Sequence, residues 1–83
     1  MDRLNAKMAD AIYDDATDVI YFPIGESKYT DEEEVSPGVH LLYAYDTHRT
    51  DEIVGVEIEG FRRRYGKNPS MITLSSNHSL SLA

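Results

Sequence analysis

The segment 53–59 predicts a β-strand with one buried face and one wet face. Its apolar side chains recur at every second position and its acidic side chains lie on the other side: Val54, Val56 and Ile58 against Glu57 and Glu59. Successive side chains of a strand point to opposite faces of the sheet, so this alternation indicates an antiparallel sheet packed on one side. Gly55, in mid-strand, predicts a bulge or a close neighbour.

Similar reasoning predicts further strands, separated by turns. Residues 39–45 are rich in aliphatic and aromatic side chains, and Ser36-Pro37-Gly38 before them is a strong turn signal, because proline suits the second position of a turn and glycine tolerates positive φ. Segment 46–52 is polar and predicts a hairpin loop. The predicted strands are 7–13, 19–24, 30–35, 39–45 and 53–61.

The predicted fold class is α+β, an antiparallel β-meander of about four to five strands with a short C-terminal helical turn and tail. A single domain, 1–83, comprises a meander over about 8–61, a basic helical turn at 62–67 and a Ser-rich tail at 68–83. The tail is either an added strand or a flexible end. In the helical turn, Phe61 and Tyr65 pack at i, i+4. The predicted core includes Ile20, Phe22, Leu41, Val54, Val56 and Ile58.

The charge of the chain is unevenly distributed. The net charge is −7, and all 15 acidic residues lie before Gly60, whereas the segment from Phe61 onward has four basic residues and no acid. An acidic sheet repels the phosphate backbone of nucleic acids, so we do not expect nucleic acid as a partner. The chain also lacks the glycine-rich motifs that cradle nucleotides and the GxSxG motif of serine hydrolases.

The composition also predicts where the protein resides. There is no cysteine, which excludes disulfides and thiolate zinc sites and fits a reducing compartment. Residues 1–8 lack the apolar segment of a signal peptide, and no apolar run approaches the roughly 20 residues that span a bilayer. We therefore expect a cytoplasmic protein without membrane association.

Three blocks of the chain resemble a family of short, mostly bacterial proteins classed as a domain of unknown function. That family shows a pattern close to YDxxADxxYI, then EEVxPGVxLDYD, then IVGIEI, and the matching segments here are 13–21, 33–39 and 53–58. The resemblance spans roughly residues 8–61. It departs from the pattern at Thr17, where the family usually has Asp, and at 46–52, where the predicted loop is longer and lacks glycine.

The resemblance implies little about chemistry. The family has no settled catalytic residues, so none can be assigned here. Some members resemble the antitoxin half of small two-gene toxin–antitoxin modules, which implies an antitoxin-like role.

Two groups of residues have side chains that could bind a metal ion. Asp14, Asp15 and Asp18 carry oxygen ligands that suit Ca²⁺ or Mg²⁺, but their loop lacks the glycine and terminal glutamate of a calcium hand, and Asp is common in hairpins. The three histidines are scattered, with no two at metal-ligand spacing: His40, His48 and His78. We predict no catalytic residue, no metal site and no cofactor.

Two charged runs have side chains that could form a binding or catalytic site. Asp31 to Glu34 could supply a general acid and base, but four adjacent exposed acids are typical of a solvated run. Arg62, Arg63 and Arg64, with Lys67, could contact phosphates, with Tyr65 available to stack on a base. Pairing of this basic cluster with the acidic body of its own subunit or of a partner is the favoured interpretation.

The sequence therefore predicts a non-enzymatic protein-interaction module that binds a small basic partner protein, and the family resemblance implies an antitoxin-like role for it. The predicted partner-binding residues are Glu32, Glu33, Glu34, Arg62, Arg63 and Arg64. The alternatives are a small metal- or ligand-binding enzyme using the Asp14–Asp18 loop, or a weak nucleic-acid binder through Arg62–Lys67. Because strands 19–24 and 39–45 are apolar on both faces, the tail, a second copy or another protein must cover the sheet, and we predict a homodimer.

Overall fold

The computed structural model describes residues 3–7, 10–66, 69–75 and 79–83. Within these ranges the chain forms eight β-strands and one short helix. The elements are β1 (Arg3–Lys7), β2 (Ile12–Asp14), β3 (Val19–Pro23), β4 (Tyr29–Ser36), β5 (Val39–Asp46), β6 (His48–Glu59), α1 (Phe61–Tyr65), β7 (Met71–Ser75) and β8 (Leu80–Leu82).

The strands form two antiparallel sheets. One has five strands in the order β2-β3-β6-β5-β4, and the other has three in the order β1-β7-β8. The predicted meander is confirmed for β4, β5 and β6, which pair in succession, while β3 pairs with the far side of β6. The broad α+β class is confirmed, with more strands than predicted and with a second sheet.

The hydrophobic core lies between the two sheets. The five-stranded sheet contributes the six buried residues Ile20, Phe22, Val39, Leu41, Val56 and Ile58, and α1 contributes Phe61. The three-stranded sheet contributes Ala6, Ile72 and Leu74. The six residues predicted to be buried are confirmed, since each is at most 1% exposed. We call the core-facing side of the five-stranded sheet its inner face and the opposite side its outer face.

The C-terminal tail supplies part of the cover that the sequence argument requires. Ile72 and Leu74 are 1% and 2% exposed, and both pack into the core cluster. Strand β8 pairs with β7, and the backbone N–H groups of Ser70 and Met71 donate to the carbonyl oxygen of Ala83. Of the two alternatives for the tail, the structure therefore shows added strands.

The predicted first strand, 7–13, is wrong. Lys7 ends β1 in the three-stranded sheet, whereas Ile12 begins β2 in the five-stranded sheet. Residues 8 and 9, also within the predicted strand, lie outside the described residues. The chain changes sheet here because β1 pairs with β7 near the other end of the sequence, a pairing that local composition does not encode.

The predicted hairpin loop at 46–52 is also wrong. β5 continues to Asp46 and β6 begins at His48, so only Thr47, at φ 59°, lies between the strands. The Tyr45 hydroxyl donates to the Thr47 carbonyl oxygen, and the Thr50 hydroxyl donates to the Ala44 carbonyl oxygen. Backbone pairing and these hydrogen bonds keep the ends of β5 and β6 together as an exposed two-stranded hairpin. The polar composition of the segment led to the wrong prediction of a loop.

Helix α1 is capped by a distant residue. The backbone N–H groups of Arg62 and Arg63 donate to the two carboxylate oxygens of Asp18, at 2.8 and 3.1 Å, and the Phe61 N–H donates to the Asp18 carbonyl oxygen. These are donors that a helix N-terminus otherwise leaves unsatisfied. Asp18 therefore ties the turn between β2 and β3 to the start of the helix.

The predicted packing of the helical turn is confirmed. The Phe61 ring is fully buried and lies 5.7 Å from the Tyr65 ring, centroid to centroid. Gly66, at φ 67°, ends the helix and its N–H donates to the Arg62 carbonyl oxygen. Within the described ranges, no helix is long and apolar enough to cross a membrane.

Candidate functional site

Strand register gathers acidic residues around one histidine on the outer face. Glu34 of β4 lies opposite His40 of β5, and His40 in turn lies opposite Glu57 of β6. Directly paired residues of neighbouring strands share a face, and residues two apart on one strand share it too. Glu32 and Glu59 therefore join the same group. We call these five residues, His40 with Glu32, Glu34, Glu57 and Glu59, the His40 cluster.

Both ring nitrogens of His40 face carboxylates. Nδ1 lies 2.7 Å from Oε1 of Glu32, while Nε2 lies 3.1 Å from Oε1 of Glu59 and 3.6 Å from Oε2 of Glu34. His40 is only 8% exposed, whereas the side chains of these three glutamates are 48–56% exposed. The imidazole therefore forms the floor of the cluster, and the carboxylates form a solvent-facing rim.

The crowding of carboxyl groups in the cluster affects the pKa of Glu57. Burial raises the pKa of the Glu57 carboxyl above its ordinary value, and the nearby charge of Glu32 raises it further. His40 acts in the opposite direction, and the charge of Glu59 adds to the increase. Four carboxyl groups thus share a small area with one imidazole, and this patch strongly favours positive charge.

An open groove adjoins the cluster. Its walls include Glu34 and Glu59, together with the β4–β5 turn at 35–38 and Arg64 of α1. Gly38 adopts φ 75°, and a Cβ there would lie 2.5 Å from the Arg64 guanidinium. Glycine at this turn position therefore allows Arg64 to lie against the turn, where its Nη1 donates to the Pro37 carbonyl oxygen.

The Asp14–Asp18 loop has structural contacts within itself and with α1. Asp14 accepts a hydrogen bond from the backbone N–H of Ala16, and Asp18 accepts one from the Tyr13 hydroxyl at 2.7 Å. The hydrogen bond from the Arg62 N–H lowers the pKa of Asp18, with the Tyr13 hydroxyl as the next contribution. The same Asp18 contact raises the pKa of Tyr13. Asp18 thus uses both carboxylate oxygens to cap α1.

The structure separates the predicted acidic partner residues onto two faces. Glu32 and Glu34 lie on the outer face, in the His40 cluster. Glu33 alternates to the other side, where its Oε2 accepts a hydrogen bond from Arg49 Nη1 at 2.9 Å. This split follows from strand geometry, because consecutive side chains of β4 point in opposite directions.

The predicted basic residues lie exposed on α1. The Arg62 guanidinium lies 4.5 Å from the centroid of the Tyr13 ring, and Arg64 reaches the groove that Glu34 also lines. Within the described part of the chain, no ion pair joins Arg62–Arg64 to the acids of β4. Lys67 lies outside the described residues.

Three members of the His40 cluster were not predicted as site residues: His40, Glu57 and Glu59. One available signal was the Ser36-Pro37-Gly38 turn. A tight hairpin there pairs Ser36 with Val39 and places Glu34 opposite His40, with one irregularity between Glu34 and Ser36. Predicting that Glu57 and Glu59 join the cluster also requires the register of β5 with β6. The incorrect prediction of a loop at 46–52 prevented that register from being worked out.

Comparison with known proteins identifies a family and no individual relative. No curated protein and no solved structure matches the chain. The matched family model covers residues 11–62, which includes all three blocks on which the resemblance was based. This segment is more than half of the 83 residues, so the chain belongs to the family described as "Protein of unknown function (DUF2283)".

Proposed function

We propose that the chain is a non-enzymatic protein-interaction module that binds a small basic partner protein through the outer face of its five-stranded sheet. The observation that carries this proposal is the His40 cluster, which concentrates four glutamates on one face, three of them with side chains that are 48–56% exposed. A positively charged partner surface complements such a patch and is steered towards it.

The same face offers apolar contact area beside the charge. The cross-strand pairs that contain Glu57 continue through Tyr21 to Ile12 on β2. Ile12 is 64% exposed, which is high for a large aliphatic side chain. Protein interfaces commonly combine aromatic or aliphatic groups with a polar rim, so Ile12 and Tyr21 supply the apolar part next to the acidic part.

Binding through the face is better supported than strand addition at the edge. Strand β4 lies at one edge of the five-stranded sheet and carries four consecutive acids, 31–34. Charged side chains on an edge strand discourage pairing with another chain. The partner therefore contacts side chains of the outer face, with Glu32 and Glu34 among them.

An antitoxin-like role is one form of this proposal. A toxin-like ribonuclease carries a basic cleft for RNA, and the His40 cluster would complement that cleft in charge. The exposed arginines of α1, Arg62 to Arg64, would contact acidic groups beside it. A gene for a small basic protein next to the gene for this chain would support this form.

The test compares two charge reversals with the parent chain. The double variant Glu32→Lys/Glu34→Lys changes the outer face, and Glu33→Lys makes a similar change on the opposite side of the same strand. Each chain is used for affinity capture from native lysate, followed by mass spectrometry. Any small basic protein recovered is then purified and titrated calorimetrically against all three chains at low and high salt.

We expect a reconstituted complex that weakens with salt, is lost in the double variant and persists in Glu33→Lys. Equal binding by the double variant and the parent would contradict the proposal. The proposal would also be contradicted if the chain captured only nucleic acid. In that case nuclease would release the captured material, and capture would depend on Arg62–Arg64.

A further inference from the structure

We propose that Glu34, His40 and Glu59 bind one divalent transition-metal ion, and that Glu32 orients the histidine for this role. One candidate ligand atom from each of the three residues lies within 4.8 Å of the other two. The residues come from β4, β5 and β6, so the rigid register of three neighbouring strands holds them together.

The distances fit a small ion. Bonds of about 2.0–2.1 Å in tetrahedral geometry place two ligand atoms roughly 3.3 Å apart. Nε2 of His40 lies 3.1 Å from Glu59 Oε1 and 3.6 Å from Glu34 Oε2, which brackets that separation. An ion can therefore enter between these atoms once the exposed Glu34 and Glu59 side chains adjust around it.

Glu32 provides the contact that distinguishes this group from an ordinary acidic surface. Its Oε1 lies 2.7 Å from Nδ1, so it can accept the Nδ1 proton and leave the Nε2 lone pair directed at Glu34 and Glu59. Metal-binding histidines commonly donate their second ring nitrogen to a carboxylate in this way. The His40 side chain is also only 11% exposed, which restricts its movement.

Glu34 is held from the other side. The Gly38 N–H donates to Oε2 of Glu34 at 3.3 Å, and this is the same oxygen that lies nearest to Nε2. Two of the three proposed ligands therefore have an orienting hydrogen bond. The groove lined by Glu34 and Glu59 gives an ion access from solvent and leaves its remaining positions for water or an external ligand.

The donor set indicates the class of metal. Imidazole nitrogen suits zinc and other first-row transition ions, whereas Mg²⁺ and Ca²⁺ prefer sites made of oxygen ligands alone. One nitrogen with two carboxylates therefore favours an ion such as Zn²⁺ over Mg²⁺ or Ca²⁺. On binding, the ion replaces any proton on Nε2, and that proton is released to solvent.

The sequence pattern indicates only part of this site, because its three ligands are far apart in the chain. They lie at positions 34, 40 and 59, and only one of the three is a histidine. The prediction of no metal site was based on the Asp14–Asp18 loop and on histidine spacing within the chain, and both criteria detect sites built on one segment. Strand pairing creates the present arrangement.

The test is calorimetric titration of the purified, metal-free chain with Zn²⁺, repeated with Mg²⁺. We expect one-to-one Zn²⁺ binding tighter than about 10 μM, and Mg²⁺ binding at least about tenfold weaker. His40→Gln and Glu59→Gln each remove a ligand and should weaken Zn²⁺ binding by more than about tenfold. Glu32→Gln should weaken it by about 10–100-fold, since it removes only the orienting carboxylate.

Glu33→Gln is the matched control, because it removes the same charge from the same strand on the opposite face. It should change affinity by less than about fivefold. Circular dichroism of each variant verifies folding, and ¹⁵N spectra of the parent should show the Zn²⁺-induced shift at Nε2 of His40. Failure of the parent to bind Zn²⁺ tighter than about 100 μM would overturn the proposal. Equal weakening by Glu33→Gln and His40→Gln would also overturn it, since that indicates general attraction to acidic charge.

Discussion

Replacing Ile72 with alanine tests whether the C-terminal tail is an integral part of the core. Ile72 is 1% exposed and lies among the buried residues between the two sheets. Truncation of a buried isoleucine removes favourable burial and leaves a cavity, at a cost of about 2–5 kcal/mol. An 83-residue domain has a total stability of only about 4–12 kcal/mol, so this single change removes a large share of it.

The measurement is thermal and urea unfolding of the variant beside the parent. For a domain of this size, each kcal/mol of lost stability lowers the melting temperature by about 4–8 °C, so we expect a decrease of at least about 8 °C. Thr73→Ala is the control, because Thr73 is on the same strand with its side chain on the other face. It should change stability by less than about 1 kcal/mol.

A result in which Ile72→Ala melts within about 2 °C of the parent would refute the reasoning. It would mean that β7 contributes little to the core and that another surface covers the inner face. Deletion of residues 69–83 is a second test of whether the tail covers the inner face. It should expose Ile20 and Phe22, which the three-stranded sheet helps to bury, and cause aggregation.

Three further predictions concern Asp18, Gly55 and the oligomeric state. Asp18→Asn should destabilise the chain at neutral pH. The lowered pKa of Asp18 means that its contribution is complete above the ordinary value of 3.8 and disappears as pH falls through the folded-state pKa, so parent and variant should converge in acid melts. Gly55→Ala should cost about 1–3 kcal/mol, because the new Cβ would lie 2.6 Å from the Tyr21 ring. A smaller cost in a Tyr21→Ala background would verify that contact, and equal costs in both backgrounds would exclude it. Light scattering with size exclusion should give twice 9.4 kDa for the predicted homodimer, whereas a monomer at high micromolar concentration would contradict it.

The strands of the five-stranded sheet could be predicted where burial leaves a pattern. Segments 19–24, 39–45 and 53–59 carry β-branched and aromatic residues, and the structure places strands on each of them. The acidic segment 30–35 was also predicted as a strand, and β4 covers it. These elements depend on local side-chain chemistry, which is what a sequence pattern records.

The three-stranded sheet could not be predicted, because its pairing is remote. Arg3 pairs with Ser75, so the sheet joins the two ends of the chain. Its strands are short, five residues for β1 and β7 and three for β8, and the tail is rich in serine. A short strand is stable only in its tertiary setting, so the sequence predicted an added strand in the tail only as one of two alternatives and not its pairing with β1.

The His40 cluster was predictable in part. The turn at 36–38 implies that Glu34 lies near His40, but the positions of Glu57 and Glu59 depend on how β5 pairs with β6. That pairing has two register irregularities, between Leu42 and Tyr43 and between Tyr43 and Tyr45. Each bulge changes which residues share a face, so the ladder could not be extrapolated from one end to the other.

The residues on which the family resemblance depends have structural roles in this chain. Asp18 caps α1, Gly38 admits Arg64 against the turn, and Gly55 admits the ring of Tyr21. His40, by contrast, falls at the unspecified position between valine and leucine in the second block. A shared scaffold can therefore carry different chemistry at the positions that its pattern leaves open. Family membership leaves the function open, so the function has to be tested on the residues of the outer face themselves.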